Sequence, residues 1–459
     1  MKVSRRSIYT RSKEIPSLKF APAQHLTAFG GLIIFMRLFG RLDLWSRIDR
    51  CFATLSHAGG YTHGVMMRCL VVHLLLGRRH LRERDFYAHD PLVRQCLGLQ
   101  QIPSVPTLSR LLASTDEVSI QALRQLNLQM VLDRLAQQDM RTLTLDFDGS
   151  VLSTSRHAQG TAVGFNKQKK GARSYYPLFC HVAQTGQVLD VHHRSGNIHD
   201  SNGAVNFVRA CVSAVRQHLG ARQRLEVRMD SAFFSEELIE ELDALQVYYT
   251  VSVPFERFTQ LKEIFCSRKR WWQTPGREGS HYFEQRWKPK CWGHRRRFVF
   301  VSQEVDKQDK EPLQLDLFRP VERGVDFKVI LTNHRMAAGR VVSLHEGRGS
   351  QEKVFGELKS QVQLGYVPCR RLHANQTWLL GAMMAHNLGR ELQMEQTPPP
   401  RDLGVKRTAR WVFAELGTLR RTVLHQVGRL TRPQGKWTLT LPEIPALRAA
   451  FEGFGFAVL

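Results

Sequence analysis

The chain has 459 residues, 42% hydrophobic and 23% charged, enough for more than one domain and apolar enough to bury a core. Its charge balance is unusual: 66 Lys and Arg stand against 41 Asp and Glu, a formal +25 spread along the whole length. Such a surplus points to a polyanionic partner, held with a steep salt dependence. The longest apolar runs, residues 31–36 and 69–77, fall short of the ~20 residues of a membrane span, so no membrane partner is expected. The basic start MKVSRRSIYTRSKEI is followed by no apolar region and reads as a polar tail kept in the cytoplasm. The 8 cysteines form no CxxC, which predicts reduced thiols with neither zinc nor a disulfide framework.

Residues 26–139 carry a helical period. Helices are predicted at 26–39, 43–53, 64–76, 91–97, 107–113 and 117–136, the last opened by a Ser114-x-x-Glu117 capping box. The segment PSVPTLSRLL puts Ser109 and Arg110 on a short helix of the kind that reads a DNA groove, a turn also common in helical bundles.

From residue 142 the period changes to two. Strands are predicted at 143–148, 175–183 and 187–193, joined by short turns. Then follow helix 201–219, strand 225–229, helix 236–245 and strand 247–253. Three meandering strands and two right-handed crossovers make the ribonuclease-H-like order, in which the first and fourth strands lie side by side and parallel. Residues 254–335 then read as a mainly β insertion, with strands at 281–287, 296–305 and 327–333. Its first half interleaves Trp271, Trp272, Trp287 and Trp292 with Arg and Lys, which suits stacking on an unpaired base, or a core for the insertion. A final buried helix is predicted at 375–392, a Pro-rich linker at 396–401, and beyond it a helix at 405–415 with strand-like pieces at 422–430 and 437–441.

Acids stand at the ends of two of these strands. TLTLDFDGS alternates Leu143, Leu145 and Phe147 against Asp146 and Asp148, and LEVRMDS ends in Arg228 and Asp230. The stretch LHEGRGSQEKVFGELKSQV (344–362) reads as one helix. On it His345, Arg348, Glu352 and Lys359 share about one sixth of the circumference. Alone, that stripe also fits a solvated face with an Arg348/Glu352 pair. An acid at the end of each of two strands and a third on a helix is a layout for a divalent-metal phosphoryl-transfer site.

With these residues, the chain resembles the DDE transposases of bacterial insertion sequences. The resemblance is to the branch whose signature is Tyr, two residues, Arg, three residues, Glu, six residues, Lys. Arg348, Glu352 and Lys359 keep that spacing, and His345 stands where the family has Tyr. The stretches DFDGS, KKGARSYYPL, HRSGN, RMDSAFF and NQTWLLGAMMAHNLGREL resemble the group numbered thirteen-eighty.

The resemblance implies an α/β ribonuclease-H-like catalytic core with a mainly β insertion, preceded by an all-helical domain that binds the element's ends. The expected division is 1–140, 141–395 (insertion about 254–335) and 396–459, the last of unknown role. It implies Asp148, Asp230 and Glu352 as catalytic and metal-binding residues, with Asp146 the alternative first acid, and two Mg²⁺, with Mn²⁺ tolerated. His345, Arg348, Lys359, Arg228 and the four tryptophans are the candidate DNA contacts. Expected partners are double-stranded DNA, both element ends and target, and a second copy of the chain, in a nucleoid-associated cytoplasmic setting. Rival readings are a structure-selective nuclease of the same fold and an inactive DNA-binding derivative.

Overall fold

Polar caps and prolines punctuate the amino-terminal third of the chain. The computed structural model describes residues 18, 25–56, 59–154, 157–164, 166, 169–198, 202–304, 325–396, 398–402 and 404–456. The basic start, and position 305 at the end of one predicted strand, lie outside them. Leu26–Thr27 (β1) is followed by α1 (Leu32–Arg41), α2 (Leu44–Cys51), α3 (His63–Leu75), α4 (Pro91–Leu97), α5 (Val105–Ala113) and α6 (Glu117–Ala136). Asp90 accepts from the Leu92 and Val93 amides to start α4, with Pro91 in its first turn, and Ser104 caps α5. The box that opens α6 is made by Asp116 and Ser119, not by Ser114 and Glu117. Ser114 ends α5 instead, its hydroxyl turned back on the Arg110 and Leu111 carbonyls. The region also departs from the all-helical expectation at its start. Leu26 and Thr27 pair antiparallel with Arg429 and Gly428, so the first helix begins only at Leu32.

The predicted meander and crossovers are present as β2 (Thr142–Gly149), β6 (Leu178–Val182), β7 (Gln187–His192), α7 (Ala204–Leu219), β8 (Arg224–Met229), α8 (Glu236–Ala244) and β9 (Tyr248–Ser252). Their order across the sheet is β7-β6-β2-β8-β9, with β2 antiparallel to β6 and parallel to β8. The single strand expected at 175–183 is two. It breaks at Pro177, which has no N–H for a ladder, and its first part, β5 (Arg173–Tyr175), joins β3 (Leu152–Ser153) and β4 (Ala162–Val163) in a small separate sheet. Leu143, Leu145, Phe147, Leu225, Val227 and Met229 are buried in one cluster with α7 and α8. The alternate residues Thr144, Asp146, Glu226 and Arg228 are also buried, on the other face.

The insertion is not a separate layer. After α9 (Thr259–Ser267), which the sequence pattern did not reveal, come β10 (Trp272–Gln273), β11 (Ser280–Trp287), β12 (Arg296–Glu304) and β13 (Val325–Thr332). Strand β13 pairs with β9, so the insertion extends the main sheet to nine strands, in the order β10-β11-β12-β13-β9-β8-β2-β6-β7.

Three helices follow: α10 (Ala338–Glu346), α11 (Ser350–Gln361) and α12 (Leu372–Gln396). Apolar on nearly every side, α12 is buried between the amino-terminal helices and β7. Its Asn387 side chain accepts from the Val188 amide (2.9 Å) and donates to the Val188 carbonyl (2.8 Å), closing part of the free edge of β7. The helix expected at 405–415 does not form. That segment is irregular and leads to α13 (Leu416–Leu419), β14 (Gly428–Thr431), β15 (Thr438–Thr440) and α14 (Pro445–Gly453). One hydrophobic core joins Phe35 and Leu70 of the amino-terminal helices with Trp378 of α12 and with Leu424 and Phe451 near the carboxyl end. No helix among the described residues is long and apolar enough to cross a membrane.

Candidate active site

The parallel register of β2 and β8 sets Asp146 opposite Arg228 and Phe147 opposite Met229. Asp148 and Asp230 are each the next residue along these two strands, so both carboxylates reach the same sheet edge, partly exposed. Backbone amides hold them: Asp148 Oδ1 accepts from Gly149 N at 2.8 Å, and Asp230 Oδ1 from Ala232 N at 3.0 Å.

Helix α11 starts over this edge. Arg348 Nη1 lies 3.4 Å from Asp148 Oδ2. The Lys359 ammonium is drawn below the ordinary lysine range by desolvation, against the pull of the Asp148 charge. Gln351, fully buried, donates to His181 Nδ1 at 3.0 Å and reaches the Asp146 carbonyl at 3.5 Å, which seats the first turn of α11 on β2. The structure therefore gathers Asp148, Asp230, Arg348 and Lys359 at one edge. Glu352 lies exposed on the same first turn of α11. Among the described residues, no three His, Cys, Asp or Glu side chains are grouped to hold a metal.

Several expected site residues have other work. Arg228 is fully buried, its Nε and Nη2 on the Asp146 carboxylate at 2.6 and 2.7 Å, and its Nη1 on the Leu344 and Lys406 carbonyls at 2.9 and 2.6 Å. It reaches no DNA, and Asp146, closed off at 1% exposure, is not available as a first acid. The helix expected through 344–362 is broken at Gly347–Gly349 by a 3-10 turn. A Cβ on Gly347 would collide with the Lys406 carbonyl and the Arg228 guanidinium. His345 therefore belongs to α10, not to the Arg348 stripe. Its ring is buried, with Nδ1 2.9 Å from Thr250 Oγ1 and Nε2 2.8 Å from Ser252 Oγ, so it touches no surface phosphate. Desolvation, aided by the Arg348 and Arg228 charges, lowers its pKa to about 3.

Of the tryptophans, Trp287 and Trp292 are core, the latter stacked on Phe234 at 4.8 Å, and Trp271 is half-buried edge-on against Phe283. Trp272 is exposed, with Arg268 and Arg270 about its ring. Sequence reasoning missed Gln351 and His181. The signal for Gln351 was its place one residue before Glu352 on the helix, where the neighbouring face must turn inward. His181 had none.

The transposase DDE domain group 1 family matches residues 21–453, and the chain belongs to it. No curated protein matches the chain. Among solved structures, it is similar to the piggyBac transposase synaptic complex with hairpin DNA, at 11% identity over 82% of this chain and 77% of that one, with a TM-score of 0.45. It also matches the Mos1 transposase paired-end complex with left transposon end (10% identity, 43% of this chain, 60% of that one, TM-score 0.17). The Mos1 mariner paired end complex with Mn matches at 12% identity, over 44% of this chain and 65% of that one, with a TM-score of 0.17.

The buried groups make two outcomes testable. Arg228→Met leaves the Asp146 charge without its partner and should cost ~3–5 kcal/mol in urea unfolding. Adding Asp146→Leu should restore part of that loss; a double variant no more stable than Arg228→Met would show that the pair is not the source. For His345 the folded pKa lies below the unfolded value of ~6.5, so between these pH values only the unfolded chain carries the extra proton. Its contribution is constant above that window, and stability falls as pH drops through it, by at most ~1.4 kcal/mol per pH unit. His345→Asn should make the acid limb of the urea midpoint against pH shallower, the remainder coming from other buried histidines such as His73 and His181, and leave the slope between pH 6.5 and 8 unchanged. An unaltered acid limb would mean the ring is solvated.

Proposed function

We propose that the protein binds the ends of its own insertion sequence, cuts the DNA there and joins the freed 3′ ends to target DNA. The observation that carries this reading is the β2/β8 register, which sets Asp148 and Asp230 together at one edge beneath Arg348. Family membership supports it. In finer detail, the resemblance to the group numbered thirteen-eighty is kept as part of the proposal.

Two carboxylates on adjacent parallel strands fit a Mg²⁺ ion, which takes one or two protein carboxylates and completes its shell with water and phosphate oxygens. Asp148 and Asp230 would hold the first ion, and Glu352 would complete a site for a second. When bound, such ions polarise the scissile phosphate and stabilise the departing oxygen. The chain's own groups position the DNA. Arg348 offers a planar fork and Lys359 a point charge to phosphates flanking the cut, with Arg348 Nη1 already 3.4 Å from Asp148 Oδ2. Trp272, exposed between two arginines, is the one of the four tryptophans placed to stack on a base. The helices of residues 32–136, with Ser109 and Arg110 exposed on α5, are assigned to end recognition. Joining two ends calls for two copies of the chain.

Asp148→Ala, Asp230→Ala and Glu352→Ala should each abolish cutting of a duplex that carries the element end, with end binding retained, since each removes an ion ligand and not a DNA contact. Retained cutting by any one takes that residue out of the set, and a Glu352 variant that still cuts removes the second ion. Cutting should also stop in chelator and return with Mg²⁺ or Mn²⁺. Full activity in chelator would sink the metal-assisted reading.

A further inference from the structure

A second cationic surface lies on the opposite edge of the sheet from the acids. Strand β12 and the carboxyl-terminal ends of β11 and β13 border an open cleft of about 820 Å³, whose lining includes five arginines and a single carboxylate, Glu284. Two of the arginines are committed. Arg296 pairs with Asp243, and Arg297 with Glu284 (2.8 Å from Nε) and with the His334 and Met336 carbonyls. The other three, Arg286, Arg295 and Arg335, are exposed and make no hydrogen bond or ion pair among the described residues.

The topology separates this cleft from the candidate active site. Residues across the sheet line up as Asp146, Arg228, Thr250, Thr332, Arg297 and Arg286. Asp148 lies beyond that row in one direction. Arg295 and Arg335 lie beyond it in the other, because β12 has not yet reached the row at Arg295 and the antiparallel β13 has already passed it. With strands ~4.8 Å apart, β12 is also roughly 20 Å from β2.

We propose that the cleft binds the phosphodiester backbone of duplex DNA, in a segment distinct from the one held at the acids. The three uncommitted guanidiniums lie on β11, just before β12 and just after β13, at the ends of three neighbouring strands, and so spread over roughly 10 Å, which suits a run of phosphates and not a single one. Apart from Glu284, which is paired with Arg297, the exposed polar side chains of the cleft are the three guanidiniums and the Gln285 amide. The Asn333 amide is committed to the protein: it accepts from Tyr249 N and donates to the Val247 carbonyl. The proposed contact is with phosphates, which carry no sequence information, as contact with target or flanking DNA requires. The inference rests on the reading of the protein as a DNA-acting enzyme.

The test uses the full chain carrying Asp148→Asn, so that DNA is bound without being cut, and follows affinity for a random-sequence duplex against salt. Adding Arg286→Ala, Arg295→Ala and Arg335→Ala should lower the slope of log K against log salt by about 2–3, at ~0.9 for each phosphate no longer neutralised, and weaken binding about tenfold or more. A control with Arg141→Ala, Arg421→Ala and Arg429→Ala, also exposed and outside the helices assigned to end recognition, removes the same charge elsewhere and should change the slope by less than about one. Equal urea midpoints establish that all variants fold. An unchanged slope in the cleft variant, or an equal fall in the control, overturns the proposal. A chain that shows the predicted slope change but whose unmutated form never cuts an element end removes the transposase reading and leaves the cleft standing.

Discussion

The guanidinium of Arg228 lies in the middle of a nine-stranded sheet with no access to water. A charge in that position is tolerated only when it is fully paired and hydrogen-bonded, and here every partner comes from a different part of the chain. The Asp146 carboxylate ties β8 to β2, the Leu344 carbonyl ties both to the last turn of α10, and the Lys406 carbonyl ties in the segment that follows α12. A cation at the carboxyl end of α10 is also favoured by the helix dipole. Gly347 is required where these pieces meet, since the Lys406 carbonyl and the guanidinium fill the space a side chain would take. Asp148, Asp230 and Arg348, on which the proposed function rests, lie within a few positions of this knot. Their relative placement follows from it.

The face of the sheet around the knot is polar throughout. Thr144 donates to Glu226, Arg407 reaches Glu226 at 3.1 Å, Gln184 bonds both the Thr144 amide and its hydroxyl, and His345 joins Thr250 to Ser252. A slip of one residue in β2 or β8 would turn Asp146 and Arg228 into the apolar layer with α7 and α8, so the buried polar groups specify register as strictly as the leucines do. Apart from Glu226 Oε1, which has no partner, these groups are paired, and the cost of unpairing them holds the side chains in place. Rigidity beneath the acids is what a site that must align phosphates needs.

Much of this is legible in the chain alone. The alternation in TLTLDFDGS and LEVRMDS reveals both strands and the acids at their ends, because a period of two is a local property. The partners of Asp146 and Arg228 are not legible, since pairing depends on register between segments some eighty positions apart. A helical projection misplaces His345 because it assumes an unbroken α-helix, whereas the 3-10 turn at Gly347–Gly349 changes the phase between His345 and Arg348, and the imidazole bonds Thr250 and Ser252 of β9. The tryptophans are ambiguous for a different reason. Aromatics among arginines look alike whether they face a base or Phe234, Phe258 and Phe283, and only the packing separates Trp272 from the others. The helix expected at 405–415 loses to tertiary demand: its carbonyls serve Arg228 better as acceptors from an irregular strip than they would inside a helix.

The position of Glu352 can be argued from its neighbours. Helix α11 is fixed at its start by Gln351 on His181, in its middle by Phe355 against His181 and Phe179, and further on by Glu357, which pairs with Arg390 and accepts from the Leu416 amide. A helix held at three levels does not rotate to carry a residue to the sheet edge. Glu352, by contrast, is exposed and makes no hydrogen bond or ion pair among the described residues, so its side chain is the unconstrained part. Under the proposed function, joining the aspartates would call for a change of rotamer, which costs little for a solvated glutamate, and a cation held by Asp148 and Asp230 would supply the attraction that selects it. Arg348, 3.4 Å from Asp148, would then be the group to yield, since a guanidinium and a cation would compete for the same carboxylate.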